Sequence, residues 1–203
     1  MSDENSDFTS KIVIWCSKNI KYILIGAAIG ISIPLSWNYY QYTQERDNLV
    51  ASDLYNELID LVKTEDEYKQ IENIISSDYK NSIYDILSKF VLSKKEFESK
   101  NYSLAKEYLE EIININANET YNSLAMIKIS LINIEEKKYD EALAYIEKVN
   151  LKDAFKQVLS EIKGDIYKFK GDKENALKYY TEAIDSSAIN NEKLMMKKNS
   201  VKN

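Results

Sequence analysis

Residues 164–184, GDIYKFKGDKENALKYYTEAI, decide the fold of this 203-residue chain. Small residues and tyrosines recur at helical spacing on both sides of Gly171-Asp172, which predicts two helices joined by a short turn. Gly171 supplies the backbone freedom that such a turn needs. A large side chain where the helices cross would force them apart, and aromatic rings fill the gaps beside the crossing. These small and aromatic positions are Gly164, Tyr167, Ala176, Tyr180 and Ala183.

Two earlier segments repeat this pattern in eroded form. They are KNYSLAKEYLEEII (Lys100–Ile113) and KKYDEALAYIEKV (Lys137–Val149). Ala105, Ala142 and Ala176 align at separations of 37 and 34 residues, and 34 is the period of tetratricopeptide repeats. Ser93 and Ser130 stand where the third unit has its crossing glycine. The sequence therefore predicts an all-α chain with a tetratricopeptide-like α-α superhelical domain, in which one unit is clear and two are degenerate.

A helix between the repeats is apolar on nearly all of its faces. Residues 124–134 read LAMIKISLINI. A helix of this kind is buried on every side, so we expect it to form the centre of the domain. An Asp at Leu131 would then bury an unpaired charge, and that variant should unfold.

The remaining helices follow from apolar spacing and from the scarcity of helix-breaking residues, since the chain has 4 Gly and 1 Pro. We predict a long first helix that ends at Leu61 and a last helix from about 191. The helices between them are predicted at 65–76, 81–99, 103–114, 119–137, 140–147, 151–170 and 173–185. Ser103, Asp140 and Asp172 are the predicted N-caps.

The N-terminal part predicts a single transmembrane helix over residues 19–40. Residues 22–37 carry no charge, and the neutral flank up to Tyr42 extends them to the roughly 17–25 residues that a crossing needs. Tyr22 at one end and Trp37, Tyr39 and Tyr40 at the other are typical of the two membrane interfaces. A cleaved signal peptide is the alternative, but it requires small residues after the apolar run, and residues 33–37 read IPLSW. We therefore predict an anchor.

Flanking charge predicts the orientation of this anchor. Lys11, Lys18 and Lys21 precede the span, whereas Arg46 alone follows it closely. Positive residues stay in the cytoplasm, so residues 1–18 are the predicted cytoplasmic tail. Residues 41–203 are then the domain on the far side, which is periplasmic at a bacterial inner membrane.

Two small features of the anchor carry weaker predictions. Gly26 and Gly30 form a GxxxG pair, through which two spans can approach closely, but small residues are common in any span and pairing stays open. Cys16 precedes the apolar run, so it does not match a lipoprotein acylation site.

Missing residue types exclude several classes of function. The chain has no His and 1 Cys, which argues against imidazole catalysis, His-based metal sites and an internal disulfide. Its net charge is −6 and its one Arg is Arg46, whereas phosphate contacts need clustered Lys and Arg. We therefore expect no enzyme activity, no cofactor, no small-molecule substrate and no nucleic-acid partner.

Taken in order, the motifs resemble the YfgM-like family of ancillary subunits of the SecYEG translocon. The matching parts are an acidic tail, a span ending in WNYY (37–40), degenerate repeats, GD (164–165), KGDK (170–173) and LMMKKN (194–199). The resemblance implies an adaptor on the periplasmic side of the translocon that passes newly exported or unfolded proteins to chaperones. Its implied partners are SecYEG and a PpiD-type periplasmic chaperone. An envelope assembly scaffold, for a respiratory complex or for cell division, is the alternative with the same architecture.

The first helices of such units line a concave surface that usually binds ligands. By the alignment of the units, the candidate partner groove comprises Phe90, Lys94, Phe97, Ile127, Leu131, Ile134, Asp165 and Lys168. An apolar groove with a few charges suits an extended or unfolded client. The alternative is that the protein's own first or last helix fills this groove.

Overall fold

The structure is a computed structural model that describes residues 3–64, 67–187 and 191–202. Within these ranges the chain forms helices, turns and short connections without a strand, which confirms the predicted all-α class. The helices are α1 (Asp3–Thr64), α2 (Lys69–Asp78), α3 (Ile83–Glu98), α4 (Tyr102–Ile115), α5 (Glu119–Glu135), α6 (Tyr139–Glu147), α7 (Lys156–Phe169), α8 (Lys173–Asp185) and α9 (Glu192–Lys202). The largest departure from the prediction is the start of α7, because residues 152–155 form turns instead.

The chain divides into two compact units, and the first of them is Met1–Ala51. It contains most of α1, whose apolar segment is long and apolar enough to cross a membrane and has none of its residues buried. Such a large exposed apolar surface is unfavourable in water and suits the interior of a bilayer. An added Cβ at Gly26 or Gly30 would meet nothing within 4 Å. By length and composition, α1 is a candidate membrane span.

The second unit is Ser52–Asn203 and contains three helix pairs, α3 with α4, α5 with α6, and α7 with α8. The successive first helices α3, α5 and α7 also contact one another. The aligned Ala105, Ala142 and Ala176 are all fully buried. Each stands five residues after a left-handed turn residue, so the three pairs share one local geometry.

The third pair has the tightest helix crossing. At Gly164, an added Cβ would lie 2.6 and 2.7 Å from two ring carbons of Tyr180. Tyr180 is fully buried, and its hydroxyl donates to Asp165 at 2.6 Å. Tyr167 stacks on Tyr179 with ring centroids 5.4 Å apart. The ring of Tyr180 therefore occupies the space that only a glycine leaves free.

The first two pairs fill the same crossing with smaller groups. Their crossing residues are Ser93 and Ser130, both buried, and the positions that match Tyr180 hold the buried Leu109 and Ile146. The Ser93 hydroxyl donates to the carbonyl of Ala105 across the crossing, at 2.9 Å. The crossing position of the first helix therefore accepts a residue with a Cβ where the second helix has an aliphatic side chain in place of Tyr180.

The turns within the three pairs are alike although their sequences differ. Lys100, Lys137 and Gly171 have φ values of 61°, 61° and 79°. In each turn the next amide donates to the carbonyl five residues back, at 2.8, 2.8 and 2.9 Å, which is the Schellman ending of a helix. Only glycine adopts this backbone without steric cost, so the two lysines are strained where Gly171 is not.

The predicted N-caps are correct at one position of three. Asp172 accepts a hydrogen bond from the amide of Asn175 at 3.0 Å. Ser103 and Asp140 lie inside the first turns of their helices, because the left-handed residue ends the preceding helix so early that Asn101 and Lys138 become the capping positions.

α5 is the central helix of the repeats, but it is not buried on every side. It contributes Ile129 to a core with α3 and α4 and Ile127 to a core with α6 and α7. Lys128, Leu131 and Glu135 form an exposed stripe along it, and Leu131 is 43% exposed. The expectation that Leu131→Asp unfolds the domain is therefore wrong, because a carboxylate there would keep its hydration.

An ion pair joins the first two helix pairs. Lys106 of α4 donates to Glu136, which follows α5, at 2.6 Å and to Asn133 at 3.3 Å. The hydrogen bond from Lys106 lowers the pKa of the Glu136 carboxyl, and Lys138 lowers it further, against the opposing effect of burial. The charged form of Glu136 is therefore favoured in the folded state.

Candidate partner-binding groove

Three of the predicted groove residues meet at one small cavity. Lys94 and Phe97 of α3 and Leu131 of α5 line a space of ≈ 130 Å³. The other residues of its wall are Ser93, Lys128 and Ile132. The structure thus brings these three residues of α3 and α5 together, and the cavity between them opens to solvent.

A larger cavity adjoins this one at Lys94. Its volume is ≈ 750 Å³, and it lies between α3, the start of α2 and the last turns of α1. Its lining residues are Ile59, Val62, Lys63, Tyr68, Val91, Lys94, Lys95, Glu98 and Ser99. The final turns of the first helix therefore form a wall of the concave face, and they leave the space beside α3 open.

Three other predicted groove residues belong to the cores instead. Ile127 is only 6% exposed and packs among residues of α6 and α7. Ile134 is half-buried against the same core, and Phe90 is half-buried against the core of α3, α4 and α5, near the ring of Tyr121. The alignment placed them on the concave side, but their side chains fill the gaps between successive helices.

The last helix makes hydrogen bonds to the remaining two predicted positions, of which Asp165 is half-buried and Lys168 is exposed. Lys197 of α9 donates to Asp165 at 2.5 Å and to Glu161 at 2.8 Å. Lys168 donates to the hydroxyl of Ser200 at 2.8 Å. The C-terminal helix thus packs against α8 and reaches α7 through these hydrogen bonds, and the two open cavities lie beside α3.

Apolar packing and electrostatics together hold α9 in place, since Val201 is buried against Ala176 and Tyr180 of α8. Burial opposes the charged form of Lys197, but its hydrogen bonds to Asp165 and Glu161 outweigh this and raise the pKa of its ammonium. Burial and the hydrogen bond to Asp165 both raise the pKa of the Tyr180 hydroxyl, so it stays a donor. Asp165 therefore serves as a shared acceptor that fastens both α8 and α9 to α7.

The open part of the concave face is lined mainly by apolar and lysine side chains. In the part of the chain that the structure describes, no group of three or more His, Cys, Asp or Glu side chains could hold a metal ion. Apolar side chains and lysine ammonium groups are the kinds of group through which protein surfaces contact partners, by burial and by charge.

Residues 14–203 match the family described as the tetratricopeptide repeat-like domain. The chain belongs to this family. The crossing alanines, the Gly164–Tyr180 contact and the repeated turns are thus the marks of tetratricopeptide repeat-like units. No solved structure matches the chain.

The curated relatives of this tetratricopeptide repeat-like chain share one name. It is 25% identical over 189 residues to the ancillary SecYEG translocon subunit of Haemophilus influenzae, and 92% of each chain is covered. The subunit of that name from Neisseria gonorrhoeae is 26% identical over 186 residues, covering 89% of this chain and 87% of the relative. The resemblance predicted from the motifs is therefore confirmed.

The alignment of the repeat-like units missed two parts of the groove. Lys128 was missed because it lies in an apolar stretch that predicts a buried helix. Ile59, Val62 and Tyr68 were missed because they precede the first recognisable unit. Ile59 and Val62, three residues apart near the end of α1, were the one available signal. The helix that they face, α3, lies about thirty residues further along the chain.

Proposed function

We propose that this chain is a membrane-anchored adaptor of the Sec translocon that links translocated proteins to periplasmic chaperones, including one of the PpiD type. It acts through protein–protein binding and catalyses no reaction. The proposal rests on the match to ancillary SecYEG translocon subunits, which covers 92%, 95% and 89% of this chain in three relatives. Matches of this extent take in both the apolar helix and the repeats.

The proposed topology has residues 1–18 in the cytoplasm, 19–40 in the inner membrane and 41–203 in the periplasm. The exposed apolar segment of α1 and the lysines that precede it support this arrangement. Cys16 is the one native thiol, so labelling can test each side separately. A membrane-impermeant maleimide should label Ser103→Cys in a Cys16→Ser background in spheroplasts. It should label wild-type Cys16 only after lysis, and the opposite pattern would refute the topology.

The open part of the concave face is the proposed contact for clients or chaperones. Leu131 is 43% exposed beside Phe97, and exposed apolar groups in a groove are typical of peptide-binding surfaces. A photoreactive residue at Leu131 should therefore crosslink to exported chains or to a chaperone in living cells. Glu107, exposed on α4 outside the groove, is the matched control position.

Co-purification in mild detergent tests the assignment to the Sec translocon. We expect SecYEG to be recovered with the tagged full-length chain, together with a periplasmic chaperone. Recovery of a respiratory or division complex without Sec subunits would refute this assignment and favour the envelope scaffold. Equal crosslinking from Leu131 and Glu107 would refute the role of the groove while leaving the association with Sec intact.

A further inference from the structure

The small cavity between α3 and α5 has the size of one side chain. Its volume is ≈ 130 Å³, and Phe97, Leu131 and Ile132 give it an apolar wall. Sites for small organic ligands usually measure about 300–1,000 Å³, so this cavity is too small for most of them. An apolar side chain that entered it would contact these three residues and leave its own backbone in the open groove.

Positive charge lies at the rim of this cavity. Lys94 and Lys128 are both exposed and both line it. Lys94 has a carboxylate partner in Glu98 at 3.7 Å, and both side chains are largely exposed, so this pair is weak and exchangeable.

Lys128 differs from Lys94 in its surroundings. Its ammonium lies 6.0 Å from the centre of the Phe90 ring, and no carboxylate pairs with it among the described residues. The whole chain carries a net charge of −6, whereas the lining of this cavity contains two lysines and no carboxylate. A negatively charged partner therefore complements the rim although it is repelled by the protein as a whole.

We infer that this cavity anchors one large aliphatic or aromatic side chain of an extended polypeptide, and that a carboxylate beside that side chain pairs with Lys128. A second carboxylate would compete with Glu98 for Lys94. This inference rests on the proposed function as an adaptor and specifies the segment that its groove selects. The occupant is thus an acidic peptide with a single apolar anchor.

Short fluorescent peptides test this inference on the full-length chain in detergent or nanodiscs. The probe is a Gly/Ser-rich peptide with a central Leu between two Asp residues, and anisotropy reports its binding. Replacing the Leu by Ser should weaken binding tenfold or more, since burial of a leucine side chain drives the contact. Replacing both Asp by Lys should weaken binding about tenfold, and more at low salt.

Protein variants locate the site. Lys128→Glu should weaken binding of the Asp peptide and strengthen that of the Lys peptide, which a misfolded protein cannot do. Lys148→Glu is the matched control. Lys148 is exposed and also lies over an aromatic ring, that of Tyr145 at 5.0 Å, but it directly follows α6, away from the cavity. Leu131→Ser should weaken both peptides, since it removes part of the cavity wall.

Two results would overturn the inference. One is equal binding of the Asp and Lys peptides to the wild-type chain, and the other is an equal effect of Lys128→Glu and Lys148→Glu. Co-purification of SecYEG with the same variants separates this outcome from failure of the proposed function. If SecYEG is recovered and the peptides show no preference, the inference fails alone. If the peptides bind as expected and SecYEG is never recovered, the Sec assignment fails and the site stands.

Discussion

Replacing Gly164 by Ala should destabilise the repeat domain, although the same change stabilises most helices. Removing a glycine from a helix interior gains about 1 kcal/mol. Here the new Cβ would stand 2.6 and 2.7 Å from two ring carbons of Tyr180, and 3.1 Å from a third. Overpacking a core costs about 1–3 kcal/mol, and we expect the upper end. The ring cannot swing away cheaply, because it is fully buried and its hydroxyl donates to Asp165.

The expected net loss is therefore about 2 kcal/mol, or a fall of roughly 4–8 °C in Tm for a domain of this size. The assay is thermal unfolding of the full-length chain in detergent, followed by circular dichroism. Tyr180→Leu provides the control background, because Leu109 occupies the matching position opposite Ser93. In that background Gly164→Ala should be neutral or stabilising. A Gly164→Ala protein at least as stable as the wild type would refute the steric reasoning.

Three further changes test other features. Lys100→Gly and Lys137→Gly should each stabilise the fold by about 0.5–1 kcal/mol in thermal melts, since both lysines have φ values of 61°. Glu136 has a lowered pKa, so its contribution is present above about pH 4.5 and is lost as the pH falls through the folded value. Glu136→Gln should therefore flatten the acid limb of a plot of Tm against pH. Lys197→Met should cost about 1.5–3 kcal/mol and speed amide exchange in α9, because two carboxylates lose a charged donor. The raised pKa of Lys197 predicts that this stability is complete below about pH 10.5 and is lost as the pH rises further.

Local patterns were enough to predict the helix pairs and their crossings. The spacing of Ala105, Ala142 and Ala176 located three buried contacts, because a small residue at a fixed period has few other causes. Gly171 indicated the position of its turn, since glycine is the residue that a left-handed backbone favours. Lys100 and Lys137 occupy the same backbone conformation, but a lysine gives no sign of it.

The open part of the groove was harder to predict, because it depends on contacts between distant residues. Asp165 pairs with Lys197 and Lys168 with Ser200, and both partners lie thirty-two residues further along the chain. The exposure of Leu131 depends on how far apart α3 and α5 lie, and an apolar stretch alone does not reveal that distance. The alignment of units therefore does not indicate which of its candidate groove residues remain accessible.

The attachment of α9 also limits how this protein can lengthen during evolution. The two acceptors of Lys197 are Asp165 and Glu161 of α7. The other first helices lack this pair, because α3 has Lys94 and α5 has Leu131 at the position equivalent to Asp165. If a duplicated unit were inserted between α8 and α9, α9 could pair with it only if its first helix also carried that acidic pair. A unit duplicated ahead of α7 would leave the pair intact. Lineages that gained repeats should therefore have gained them toward the membrane anchor, with the last unit and its closing helix inherited together.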